Sequence, residues 1–307
     1  MQTRRELLKR SARAASGFAL ASGISAPAAT AAGEAKRIQF AICNETFQKW
    51  EYRDIVDCVA KTGYDAIELA PFTFADSVCD LTPAKRREIR SMTEDAGLKI
   101  AGLHWLLAKP DGLHINHPDA AIRQKTRDYL AHLIDFSADL GGKILVFGSP
   151  KQRKILPQIS REDAWKHTVD TLGALGPKAK ERGVMICLEA LEAALTNLLN
   201  TNAEIRKMVS DVNHTAIQMM LDVRSMCTEP IPVPQNIREC KGLFHHFHAN
   251  DPNMLGPGFG KVDFKPIFAT LKELGYHGYV SVEIFDYSVD PRTMATKSLE
   301  YMKSCLG

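Results

Sequence analysis

From residue 37 onward, short β-branched runs alternate with longer stretches whose apolar residues recur at helical spacing. The short runs predict eight strands, over residues 37–43, 66–70, 99–105, 143–147, 184–189, 217–223, 243–248 and 279–285. The stretches between them predict helices over 52–62, 82–96, from near Pro118 to Gly141-Gly142, then 161–182, 203–212, 234–240, 264–274 and 291–305. A break is expected in the fourth helix near Gly176-Pro177, because proline withdraws one N–H from the helical ladder. Gly63, Gly97, Gly183 and Gly275 each fall just before a strand, where a left-handed residue ends a helix. Eight βα units in about 270 residues predict one α/β domain over 37–307, a (β/α)8 TIM barrel. A doubly wound sheet would want a glycine-rich turn after the first strand, and Cys43-Asn44-Glu45-Thr46 supplies none.

In such a barrel the chemistry sits where strands end and βα loops begin. Strands five to eight each end on a residue able to bind a metal: Glu189, Asp222, His248 and Glu283. Side chains alternate across a strand, which tests where these four point. Val280, Val282 and Ile284 share one face of strand eight, and Ser281 and Glu283 the other. Leu221 and Asp222, like Leu188 and Glu189, fall on opposite faces, and His246 shares the face of His248. The apolar sets suit the helix layer outside, so the acids and histidines face the barrel axis. Singly, a strand-end acid also serves as a helix cap and a buried histidine as a satisfied core group. Four in phase on consecutive strands are hard to explain that way. Three carboxylates and one imidazole make an oxygen-rich site for one divalent metal ion, Mn²⁺ foremost, with Mg²⁺ or Co²⁺ as alternatives.

Composition changes this picture mainly at the N-terminus. The 307 residues carry 39 basic and 36 acidic groups, a formal charge of +3, with 45% apolar residues. So small an excess argues against a nucleic-acid partner, and no apolar run reaches the roughly 18 residues of a membrane span. Residues 1–32 hold five of the basic residues and one acid, and without them the remainder is nearly neutral. They open Thr3-Arg4-Arg5-Glu6-Leu7-Leu8-Lys9, continue through weakly apolar Gly17-Phe18-Ala19-Leu20-Ala21, and offer small residues at Ala29-Thr30-Ala31 for cleavage. This segment resembles the twin-arginine leader of bacterial Tat export, which implies a periplasmic or otherwise extracytoplasmic protein. A disordered basic arm is the plainer alternative. The seven cysteines are odd in number and form no C-x-x-C pair, against both a disulfide framework and a structural zinc site.

With Glu189, Asp222, His248 and Glu283 in this order, the chain resembles the sugar phosphate isomerase/epimerase group of xylose-isomerase-like TIM barrels. Ketose 3-epimerases of the D-tagatose/D-psicose type are its best-known members. The resemblance covers strands one to eight and includes His248-Ala249-Asn250-Asp251-Pro252-Asn253 and the loop Gly256-Pro257-Gly258-Phe259-Gly260-Lys261. It implies that the four residues bind one divalent metal, and that Glu189 and Glu283 act as an acid/base pair on opposite faces of a carbohydrate. A proton beside a carbonyl is too weakly acidic for a carboxylate alone, so a metal is needed to stabilise the ene-diolate.

The departures from that branch bear on the substrate. Ser225 stands where the branch usually has a histidine, Met254 where it has an arginine, and Glu192-Ala193 where it has Asn-Arg. Those positions hold the sugar there, so a simple free ketose is not expected as substrate. Replacement contacts are sought in the loop after strand three, from His104, Trp105, Lys109 and His114, and after strand four, from Lys151 and Arg153. Arg224, His246 and Asn253 are further substrate-binding candidates, and Glu68, at the end of strand two, points to the same face as either a site residue or a salt-bridge partner.

An exported metal-dependent isomerase or epimerase is the leading expectation. A lyase that cleaves oxidised (3-keto) glycosides by elimination uses the same proton chemistry and is the alternative. A non-catalytic sugar-binding protein is the third, and the intact metal set speaks against it. Phosphodiester cleavage of the endonuclease-IV type wants more histidines and a basic groove. A homo-oligomer remains open.

Overall fold

The computed structural model describes residues 37–307, and the leader expected over 1–32 lies outside them. Eight parallel strands close into one barrel in sequence order: β1 (Gln39–Cys43), β2 (Ala66–Leu69), β3 (Lys99–Leu103), β4 (Ile144–Phe147), β5 (Met185–Leu188), β6 (Ile217–Asp222), β7 (Phe244–Ala249) and β8 (Tyr279–Val282). The helices outside it are α1 (Tyr52–Thr62), α2 (Pro83–Asp95), α3 (Ala120–Leu140), α4 (Pro150–Arg153), α5 (Arg161–Glu181), α6 (Asn202–Val212), α7 (Val223–Met226), α8 (Val233–Glu239), α9 (Phe264–Glu273) and α10 (Pro291–Leu306). Local chemistry sets their ends. Thr82, Ser160, Thr201 and Asp290 each accept a backbone N–H from the first turn of the helix that follows. Gly63 and Gly141 close α1 and α3 at φ 95° and 85°.

The alternation along each strand separates two interiors. Phe40, Ile42, Ile67, Leu69, Phe147, Leu188, Leu221, Phe247 and Val280 face outward and are buried with the helices in one large apolar cluster. The inward residues are fewer and smaller. Ala41, Ala66 and Ala101 pack around Tyr279, and Ile144, Val146, Cys187 and Met220 fill the other side. This inner apolar packing forms the base on which polar residues stand nearer the strand ends.

Two irregularities matter for the site. Met219 pairs with Phe244 but Leu221 with Phe247, so β7 holds one extra residue. That bulge lets Phe244 and Phe247, three apart, both join the outer core while His246 and His248 turn to the axis. A similar extra residue in β3 sets Glu68 opposite Gly102.

The expected break in the fourth long helix does not occur. Helix α5 runs through Pro177 to Glu181, because Thr168, Thr171, Leu172, Leu175, Gly176 and Ala179 form one continuous buried face across it. Tertiary packing overrides the local penalty. A Cβ on Gly176 would collide with the His214 ring, so glycine there lets the helix lie close to its neighbour.

Candidate active site

At the strand ends, Glu189, Asp222, His248 and Glu283 meet, with one ligand atom from each lying within 4.8 Å of the others. Asp222 closes β6, His248 lies in β7, and Glu189 and Glu283 are the first residues beyond β5 and β8. All four are buried. His248 Nδ1 stands 3.0 Å from Glu283 Oε2 and 3.6 Å from Glu189 Oε1. Yet His248 Nδ1 and Glu283 Oε2 both lack an aligned hydrogen-bond partner among the described residues. Buried polar atoms that approach without bonding are what a shared cation would satisfy. Gly148, just past β4, makes room for this cage, since a Cβ there would strike Glu189 Oε2.

A second ring of residues holds the first. Glu68 spans two histidines, accepting from His246 Nε2 at 2.8 Å and His248 Nε2 at 3.2 Å. Its carboxylate thereby turns His248 Nδ1 toward the cage, the usual support of a metal-ligating imidazole. Asn250 donates Nδ2 to Asp222 Oδ2 at 2.6 Å while its Oδ1 accepts the Arg224 N–H at 2.9 Å. Asp222 Oδ1 also caps α7 through the Ser225 N–H, so this acid serves both as cap and as cage wall. On the far side His104 bridges Glu45 and Glu283, with Nε2 2.9 Å from Glu45 Oε2 and Nδ1 3.3 Å from Glu283 Oε1.

The carboxylates are not equivalent. Burial raises the Glu189 carboxyl, with Glu283 adding to it against the pull of His248. Burial, then Glu189 and Glu283, push Asp222 up to about 7. For Glu283 burial acts upward too, but His248 and His104 outweigh it and hold the group down at about 2. The histidines answer in kind. Burial works against both imidaziums, yet Glu283 and Glu68 lift His248 well above its ordinary range, and Glu45 with Glu283 lifts His104 to about 10. Three acids this close call for positive charge, which protons supply here and a divalent cation would supply better. The hard oxygen-rich donor set fits such an ion. Cys43, Glu68, His104 and His248, and Glu45, His104 and Glu283, also cluster, but both sets share a member with the cage. Of the strand-end four, Glu189, Asp222 and Glu283 line the cavity, while His248 is fully buried behind them.

That cavity, about 230 Å³, is lined by His104, Trp105, Val146, Gly148, Ser149, Pro150, Glu189, Leu191, Leu195, Asp222, Arg224, Ser225, Met254, Glu283 and Phe285. Of the expected substrate contacts, His104, Trp105 and Arg224 reach it. The others do not, each for a visible reason. Arg153 is fully buried and donates to the Glu189 and Leu199 carbonyls at 2.6 and 3.1 Å, fastening the loop after β5. His246 sits under the cage, bonded to Glu68. The His114 ring packs against His117 with centroids 5.7 Å apart. Burial and His117 hold that imidazole down at about 4. Asn253 is spent within its own loop, accepting from the Leu255 N–H and donating to the Phe259 carbonyl at 3.0 Å each. Lys109 pairs with Asp111 at 3.5 Å, and Lys151 is exposed outside the lining.

Sequence reasoning passed over Glu45, Asn250, Leu191, Leu195 and Phe285 as site residues. Glu45 and Asn250 were within reach of the alternation rule, continuing the inward series 41, 43, 45 and 246, 248, 250. Leu191 and Phe285 fall in the same phase, continuing 187, 189, 191 and 281, 283, 285. An apolar residue in phase does not by itself announce a site, and Leu195 lies in a loop beyond any strand pattern.

The profile of the xylose isomerase-like TIM barrel family matches residues 56–305. Among curated proteins, the D-psicose 3-epimerase of Ruminiclostridium cellulolyticum is 26% identical over 247 residues, covering 78% of this chain and 80% of that one. The 3-dehydro-D-guloside 4-epimerase of Escherichia coli is 28% identical over 140 residues, 46% of this chain and 53% of its own. Among solved structures, a D-psicose 3-epimerase determined with D-fructose superposes with a TM-score of 0.78 at 21% identity, over 88% of this chain and all of that one. The 3-keto-D-glucoside 4-epimerase from E. coli gives 0.76 at 21% identity, over 88% of this chain and all of its own. These structures share the fold, and the profile match over most of the chain carries the assignment: the protein belongs to the xylose isomerase-like TIM barrel family.

Proposed function

We propose that this protein is a sugar epimerase that moves a proton on and off the carbon beside a carbonyl, with one divalent metal, Mn²⁺ foremost, held by Glu189, Asp222, His248 and Glu283. The observation that carries this is the pair of glutamates, one after β5 and one after β8, buried on either side of His248 and open to one cavity. Relatives named as ketose 3-epimerases and as a 4-epimerase of an oxidised glycoside support the same chemistry. A cation in the cage supplies the charge that makes the carbon acid acidic enough to lose its proton. The protein's own part is proton handling. Glu283, held ionised by His248 and His104, is suited to accept the proton, and Glu189, raised by burial, is suited to return one to the opposite face. In the reverse direction the two exchange tasks. His104, bonded through Nδ1 to Glu283 Oε1, keeps that carboxylate oriented. Trp105, Leu191 and Phe285 screen the site from water.

The test is turnover of keto sugars in deuterated water by the metal-loaded enzyme. Solvent deuterium in recovered sugar of inverted configuration supports an epimerase. Release of a free aglycone with an unsaturated sugar instead identifies elimination from an oxidised glycoside. We also propose export through the Tat pathway, on the paired Arg4 and Arg5 and the small residues at 29–31. Replacing both arginines with lysine should retain the protein in the cytoplasm, and unchanged fractionation would refute export.

A further inference from the structure

We propose that the mouth of this cavity is a subsite for an uncharged apolar aglycone, so that the substrate is a keto sugar bearing an aryl or alkyl substituent and not a free or phosphorylated one. This rests on the epimerase reading above. Among the described residues, the large hydrophobic side chains standing exposed are Phe72 at 38%, Leu195 at 41%, Leu243 at 37%, Met254 at 44% and Tyr287 at 36%. Leu195 and Met254 line the same cavity as Glu189, Asp222 and Glu283. Phe72 meets the edge of Trp105 with centroids 6.0 Å apart, and Trp105 lies 6.2 Å from Phe285, both of which line it. Three of the five, Leu195, Met254 and Phe72, therefore stand together at the opening of the reacting centre, while Leu243 lies at the far end of the barrel, just before β7. Exposed leucines and methionines scattered singly mean little, but a patch rimming a polar pocket marks a binding surface.

The backbone is held in uncommon conformations to present these groups. Trp105 and Met254 have φ of 52° and 70°, in the left-handed region where side chains other than glycine are strained. Among the described residues lining this cavity, the cation Arg224 is already paired. Arg224 is paired with Glu192 and lies over the Phe285 ring at 5.1 Å. A phosphate or carboxylate substituent would have to break that pair, whereas an aromatic or alkyl group simply covers it.

The probes are the methyl and 4-nitrophenyl glycosides of 3-keto-D-glucose, with D-fructose as a free ketose, each measured on the metal-loaded protein by deuterium exchange and by calorimetric binding. The 4-nitrophenyl compound should bind about tenfold or more tightly than the methyl one, mainly through KM, given the apolar area it covers. The double substitution Leu195→Ala with Met254→Ala should collapse that aryl-to-methyl ratio toward one. Both side chains are partly exposed and make no part of the apolar core, so thermal melting should confirm an intact fold. Equal affinities for the two glycosides, no binding of the aryl compound, or a ratio unmoved by the double substitution overturns the subsite. So does a dimer in solution that the double substitution dissociates, because the mouth would then be covered by a second copy. Exchange with all sugars alike refutes the aglycone subsite and leaves the epimerase standing. Aryl-selective binding with no exchange on any sugar does the reverse.

Discussion

On the floor of the cavity, Glu189, Asp222, His248 and Glu283 are buried against one another and against a second ring of bonded partners. At its mouth, Leu195 and Met254 stand open to solvent, and an arginine is already spent on its neighbouring glutamate. Polar groups are thus inside and apolar groups outside, the inverse of the arrangement that stabilises a fold. The floor accepts desolvation of three acids, which is unfavourable unless a cation or protons compensate. The mouth leaves apolar area wet, which is unfavourable until something covers it. On the proposed reading, ligands of opposite kind complete the two halves: a hard cation below, an apolar group above.

The largest effect should come from the floor. Glu189→Gln or Glu283→Gln removes a proton carrier while keeping the shape, and kcat for deuterium exchange should fall about 10²–10⁴-fold with the circular dichroism spectrum unchanged. Retained exchange in both variants would remove the acid/base assignment. Next are changes that touch the cage from outside it. Gly148→Ala forces a methyl into the space of Glu189 Oε2, and Glu68→Gln weakens the bond that orients His248. Each should lower Mn²⁺ affinity about 10–100-fold by titration, and unchanged affinity would mean that the metal is held elsewhere.

The acidity of the floor makes a smaller, pH-dependent prediction. Asp222 is pushed up to about 7 and His248 is held above its ordinary range, so both carry protons that a cation must displace. Mn²⁺ affinity should therefore rise with pH, about tenfold per unit for each proton released while pH is below the group's pKa. Calorimetry near pH 6 in buffers of different ionisation enthalpy should show proton release, and a pH-independent affinity between 6 and 7 would contradict it. The smallest effect is at the mouth. Met254→Gly removes a side chain from a left-handed residue and should leave stability unchanged or raise it by about 1 kcal/mol, while weakening aryl glycoside binding. A drop in Tm would show instead that Met254 supports the fold.

How far the sequence could be read follows the same division. The strand-end residues were legible because period-two alternation is strict: Val282 and Glu283 must face opposite ways, and once Val282 joins the outer core, Glu283 must face the axis. The closed barrel followed from counting βα units. Arg153 was misjudged because a cation in a βα loop can as well fasten backbone carbonyls as meet a substrate, and only the fold shows the Glu189 and Leu199 carbonyls converging on it. His246 was placed on the right face but at the wrong height, since alternation gives direction and not depth. Pro177 signalled a break that packing on both sides of it suppressed.

By itself, then, the sequence determined which side chains face the axis and how many strands close around it, since both follow from local periodicity and chain length. Only the tertiary structure decided which of those residues meet. It joined Glu68 to His246 and His248, set His104 between Glu45 and Glu283, and gathered Leu195, Met254, Trp105 and Phe285 from four separate loops around one opening. Contacts between residues far apart in the chain depend on strand register, on the single extra residues in β3 and β7, and on where each loop returns, and none of these is encoded in a local pattern.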